Sequence, residues 1–175
     1  MAGRSLARLL AAGLAATSCG VAAAWPDGPA DGSASRPTVA EARERARLLH
    51  GTIHDTLQLV HARYYREDER LPIPASSLED LFRSVAGRSG VELRWLVVEG
   101  RAMNVEHLPR EGFETAAAEA LAAGKGEHEA VADGRYRHAG AITLKAECLK
   151  CHLPGRSSNA SRTAGLVIAI PVAEP

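Results

Sequence analysis

The chain has 175 residues, enough for one domain, and its 21 Lys and Arg balance its 21 Asp and Glu. That neutrality argues against nucleic acid as a partner, which would call for a basic surface. Aromatic residues make up only 4% of the chain, so the core it can bury unaided is modest, and no stretch reaches the roughly 18 apolar residues of a membrane-spanning helix.

The first residues have the order of a secretory signal: Met1 with Arg4 and Arg8, an apolar run over 9–16, then the small-residue site Ala22-Ala23-Ala24. Cleavage after Ala24 leaves a mature chain that starts at Trp25 and carries a small excess of acid. A competing reading makes this a lipoprotein signal acylated at Cys19, with Ala16 standing where a Leu is usual. Lipidation would tether the protein to a membrane surface without spanning it. Residues 25–37, rich in Pro, Gly, Ala, Ser and Asp, predict a flexible linker, and 38–175 the folded domain.

In chain order, Thr38 with Glu41 makes a capping box. From there to about Arg66 the positions Ala46, Leu49, Ile53, Leu57, Val60 and Tyr64 recur at helical spacing, and predict a long amphipathic helix. Leu71-Pro72-Ile73-Pro74 forces an extended turn. A second helix is expected from Ser76 or Ser77 to Ala86, closed by Gly87 and Gly90. Residues 91–98 read as a strand, Glu99-Gly100 as a turn and 101–105 as a returning strand. A third helix follows over 109–124. Asp133-Gly134 predicts a hairpin turn between strands at 127–132 and 135–141. A polar loop over 155–163 leads to a last strand at 165–170. Helices beside one antiparallel sheet define an α+β class.

Between that hairpin and the last strand lies Cys148-Leu149-Lys150-Cys151-His152. A C-x-x-C-H run is the signature of covalent c-type haem attachment. Two thiols with two residues between them can reach the two vinyl groups of one porphyrin, and the following imidazole can bind the iron. Cys19 belongs to the signal, so these are the only cysteines of the mature chain and no disulfide framework exists. Three rival readings are a thioredoxin-like redox pair, which lacks its β-α-β setting here, a zinc site, which lacks a second ligand pair, and a simple disulfide.

His152 supplies one axial ligand on this reading, and the other must come from elsewhere or stay open. At about 100° per residue, His50, His54 and His61 fall at roughly 0°, 40° and 20° on the first helix, a single stripe. His61 ranks first because it is nearest the predicted globular part, with His54 and His50 after it; the alternative is a polar face carrying surface histidines. Met103 is a further candidate that reads better as a core gap-filler, and His107 and His138 read as surface or hydrogen-bonded residues. Trp95, Tyr64, Tyr65 and Tyr136 are candidates to pack on the porphyrin or simply to fill the core. The propionates need cationic partners, for which Arg94, Arg63, Arg135, Arg137 and Arg162 are available. Arg94, beside Trp95 in a strand, stands out, against the plainer reading of a solvated charge.

Taken together, residues 40–172 resemble the PAS-like c-type haem domain of bacteria. The matching pieces are the His-bearing helix, Arg94-Trp95 within 91–98, Met103-Asn104-Val105-Glu106-His107, Phe113-Glu114, Gly134-Arg135-Tyr136-Arg137, the Cys148–His152 motif, and Ala164-Gly165-Leu166-Val167-Ile168. The resemblance implies a PAS-like sheet flanked by helices and one covalent haem c. Relatives are attached to sensor kinases and chemoreceptors or stand alone as exported cytochromes. Some use a Cys thiolate opposite the motif His; no Cys is free for that here, and a His is the natural substitute.

Three functions compete. A periplasmic electron-transfer cytochrome would have both axial sites filled and an unknown redox partner protein. A redox or gas sensor would let a weak distal ligand yield to a small gas and signal through a separate partner. A haem peroxidase would need an open distal site with an acid–base residue near it. They rank in that order, so the chain reads as a carrier or sensor rather than an enzyme.

Overall fold

A computed structural model describes residues 35–173 apart from residue 111, and these belong to one compact unit, Ser35–Pro175. The expected export signal, Cys19 and residues 25–34 of the expected linker lie outside the described residues. Helix α1 spans Val39–Tyr64. Thr38 Oγ1 accepts from the Glu41 N–H at 3.3 Å, and the Glu41 carboxylate accepts from the Thr38 N–H at 2.8 Å. Such a cap is worth about 0.5–2 kcal/mol. Ala42, Ala46 and Ile53, at helical spacing, form the buried stripe, while Glu44 and Arg45 remain exposed.

Helix α2, Pro74–Ser89, begins earlier than the sequence suggests, because Pro at the first helical position loses no intrahelical bond. It also runs through Gly87 and stops only at Gly90, whose φ of 66° gives the left-handed cap. Strand β1 is Glu92–Leu96. The returning strand expected over 101–105 does not form. In its place a loop leads to a 3-10 turn, Val105–His107, where Asn104 Oδ1 accepts from the Glu106 N–H at 3.0 Å. The apolar strand Arg162–Pro171, not this polar segment, pairs with β1. Helix α3, Phe113–Ala122, follows Gly112.

Strands β2, Glu127–Ala132, and β3, Arg135–Leu144, form the expected hairpin. Asp133 and Gly134 both have positive φ, 54° and 67°, as a two-residue turn that matches strand twist requires. Helix α4, Ala146–His152, carries the cysteine motif, and β4, Arg162–Pro171, ends the sheet. The strand order is β1-β4-β3-β2, antiparallel throughout.

Alternation along the strands gives the sheet two apolar faces. Tyr136, Ile142, Leu166, Ile168 and Ile170 pack with Ala42, Ala46 and Ile53 of α1 and Phe82 of α2. On the other face Leu96, Ala139 and Val167 meet Ala117 and Leu121 of α3. Among the described residues no helix is long and apolar enough to cross a membrane. Gln58 Nε2 donates to the Thr143 carbonyl at 2.8 Å, which registers the C-terminal half of α1 against the end of β3 that leads into α4.

Candidate functional site

Strand β3 ends at Leu144, Lys145 is extended, and the chain turns at once into α4. Helical geometry sets Cys148, Cys151 and His152 on one side of that short helix, three and four residues apart. Leu149, fully buried, anchors it, and the Leu149 carbonyl accepts from the Leu153 N–H at 3.0 Å and from Arg156 at 3.2 Å. Both thiols are free and half-buried. Burial pushes the Cys148 thiol up, so it stays protonated. Among the described residues no group of three or more His, Cys, Asp or Glu could hold a metal ion on its own.

The segment after β1 wraps the motif. The Val97 N–H donates to the His107 carbonyl at 2.8 Å, the Glu99 N–H to the Thr163 carbonyl at 2.9 Å, and the Arg101 N–H to the His152 carbonyl at 2.7 Å. Glu99 also accepts from the Thr163 N–H at 2.7 Å. Burial holds the His152 imidazole below its ordinary range; the Arg101 carbonyl opposes that shift, and the nearby His107 and His61 reinforce it. His107 is tied to Glu79 of α2, Nε2 to Oε1 3.0 Å.

The histidine stripe divides along its length. His61, in the last turn of α1, lies near α4: burial lowers its pKa, with Glu147 opposing and Lys150 adding. Its ring meets Tyr65 at 5.0 Å between centroids, and no hydrogen bond among the described residues engages it. His50 instead turns onto β3, where its Nε2 donates to the Ala141 carbonyl at 3.1 Å and its ring meets His138 edge-on at 5.7 Å. A Cβ at Gly140 would stand 2.3 Å from that ring, so glycine is what admits it. His54 stacks on His50 at 6.1 Å and pairs with Asp55 at 3.0 Å. Of the three, the structure brings only His61 together with His152.

Other sequence candidates have protein partners elsewhere. Trp95 is in the core, with its indole N–H donated to the Ala75 carbonyl at 3.0 Å and its ring 4.9 Å from Phe82. Tyr136 is fully buried and donates its hydroxyl to Glu129 at 2.7 Å. Arg94 is no solvated strand charge: it pairs with Glu114 and donates to the carbonyls of Glu106 and Leu108. Arg135 pairs with Glu92 at 3.1 Å, Arg137 with Asp133 at 3.4 Å, and Arg162 caps the Ala160 and Ser161 carbonyls. Met103 is exposed rather than filling a core gap. Tyr64 and Tyr65 line an apolar groove of ≈ 340 Å³ with Val60 of α1, Leu71 before α2, and Pro74 and Leu78 of α2.

Sequence reasoning missed the roles of Gly100 and Arg101. Gly100 was legible as a turn residue, but its contact with His152, 52 positions on, left no local signal.

Among solved structures, the fold is similar to the cyanobacterial heme-protein Tll0287, with a TM-score of 0.52 and 16% identity over 76% of this chain and 98% of that one. No protein-family model matches the chain, and no curated protein matches it. At that identity the likeness concerns the fold alone, and the α+β arrangement is consistent with a PAS-like one.

Proposed function

We propose that the chain is an exported mono-haem c-type cytochrome that transfers electrons. The observation that carries the reading is the motif itself, set on one half-buried side of α4 with both thiols free and His61 near its histidine. The likeness to a heme-protein fold supports it. The residues present fit the group: Cys148 and Cys151 to hold it by thioether bonds, His152 as one axial ligand and His61 as the other. Burial lowers the pKa of both imidazoles, which keeps them neutral with a lone pair to donate, as a metal ligand must be. The apolar groove beside His61 would receive part of the porphyrin and exclude water. When bound, the haem supplies a one-electron oxidation–reduction.

On this reading the N-terminal residues direct export to the periplasm, or anchor the protein by a lipid at Cys19, and its partner is a redox protein. A second reading, a gas or redox sensor, draws on one observation: among the described residues no hydrogen bond restrains the His61 ring, so it is able to yield. Full-chain protein matured with haem-attachment enzymes tests both. A haem that survives denaturing electrophoresis and a six-coordinate low-spin spectrum indifferent to carbon monoxide are expected of the carrier. Rapid carbon monoxide binding would favour the sensor, and loss of haem on denaturation would refute covalent attachment.

A further inference from the structure

Gly100 has a φ of +87°, and a Cβ built on it would stand 2.9 Å from the His152 carbonyl oxygen, inside van der Waals contact. The next residue donates its N–H to that same oxygen at 2.7 Å. The pair is not free to drift. Glu99 before it is bound to Thr163 of β4 through both its backbone N–H, at 2.9 Å, and its carboxylate, at 2.7 Å. Val97 is bound to the His107 carbonyl at 2.8 Å. The backbone of 99–101 is thus pinned to the sheet on one side and to the last residue of α4 on the other. We infer that Gly100 and Arg101 form a backbone clamp that positions the His152 imidazole as a ligand, with glycine required because any side chain would push the clamp off.

The inference rests on the haem reading and deepens it. A ligating imidazole has to present one nitrogen and hold the other, and a backbone carbonyl is a common partner for the second. Here the protein fixes the stem of the residue: the Arg101 N–H holds the His152 main-chain carbonyl and the Gly100 backbone closes against His152 C and Cβ, which sets the direction in which the imidazole leaves α4.

Gly124 provides the control. Its φ is +83°, and an added Cβ would meet nothing within 4 Å. Gly124→Ala carries the same left-handed backbone penalty without touching His152. In the haem-loaded full chain, Gly100→Ala is expected to lose low-spin absorbance and shift the reduction potential, with added imidazole restoring the low-spin band. Gly124→Ala is expected to lose thermal stability with spectrum and potential unchanged. Equal spectra and potentials for the two variants would overturn the clamp. A second measurement needs no haem: amide hydrogen exchange of the full chain carrying Cys148→Ala and Cys151→Ala. The clamp predicts a protected Arg101 N–H, and exchange at the rate of an open loop would overturn it even if Gly100→Ala does not fold. A wild-type chain that takes up no covalent haem, with the Arg101 N–H still protected, would refute the haem reading and leave the clamp standing.

Discussion

At the scale of single residues, burial and hydrogen bonding sort the histidines into roles that their spacing alone does not reveal. His61 and His50 share a helical face, but eleven residues of helix separate them by about 16 Å along the axis. One iron cannot use both, and the end of α1 that reaches α4 carries His61. His61→Ala is expected to convert the reduced low-spin spectrum to high-spin and to open the iron to carbon monoxide, whereas His54→Ala leaves it unchanged; the reverse pattern would move the distal ligand to His54. The arginines teach the same lesson. Arg94 was legible as unusual, yet its partner Glu114 belongs to α3 and the carbonyls it caps to the turn before it. Arg94→Leu leaves Glu114, itself 9% exposed, buried without its counter-charge. Breaking one side of such a pair costs about 3–5 kcal/mol, which chemical denaturation would register.

At the scale of elements, two contacts decide how the helices sit on the sheet. Leu149 is the anchor of α4. Leu149→Ala is expected to cost about 2–5 kcal/mol through cavity formation and to loosen the motif helix, read as faster amide exchange over 146–152. Helix α1 is held by its buried alanines and by His50, whose ring lies over Gly140 and against His138. Among the described residues His138 Nδ1 is buried without a hydrogen-bond partner, the Glu127 carboxylate lying 3.9 Å away, and burial lowers both imidazoles. The unfolded chain then binds protons that the folded one refuses. Stability from these two groups is full above an ordinary imidazole pKa of about 6.5 and falls as pH drops below it. Glu129 behaves oppositely in kind: hydrogen bonds from Arg43 and Tyr136 hold it down to about 2. Its contribution is intact above the ordinary carboxylate range and is lost as pH falls towards its folded value. Denaturant midpoints against pH should therefore show two acid losses, and His138→Phe should diminish the upper one, leaving the share of His50.

Legibility at this scale followed sequence distance. The capping box at Thr38 and the Asp133-Gly134 turn are local chemistry, and both formed as read. The strand expected over 101–105 failed because pairing is a choice among distant partners. The competitor was β4, with Leu166, Ile168 and Ile170 to bury. Gly87 and Gly90 looked alike as stops, and only the one with a left-handed backbone ends α2.

At the scale of the whole molecule, the sheet does the organising. Its two faces are covered by α1 with α2 and by α3, and the motif helix leaves from the end of β3 where α1 also ends. That arrangement collects Cys148, Cys151, His152 and His61 from positions as much as 91 residues apart in the chain. The motif was legible because its chemistry fits in five residues; its surroundings were not, because they depend on which helix end meets which strand end. On the proposed reading this corner of the molecule holds one covalent haem with His152 and His61 on the iron. The decisive measurement is the absorbance spectrum of the haem-matured protein, oxidised and reduced, before and after carbon monoxide. A low-spin six-coordinate c-type spectrum in both redox states, unaltered by carbon monoxide, is expected; a five-coordinate high-spin spectrum, or none of a c-type haem, would refute that ligation.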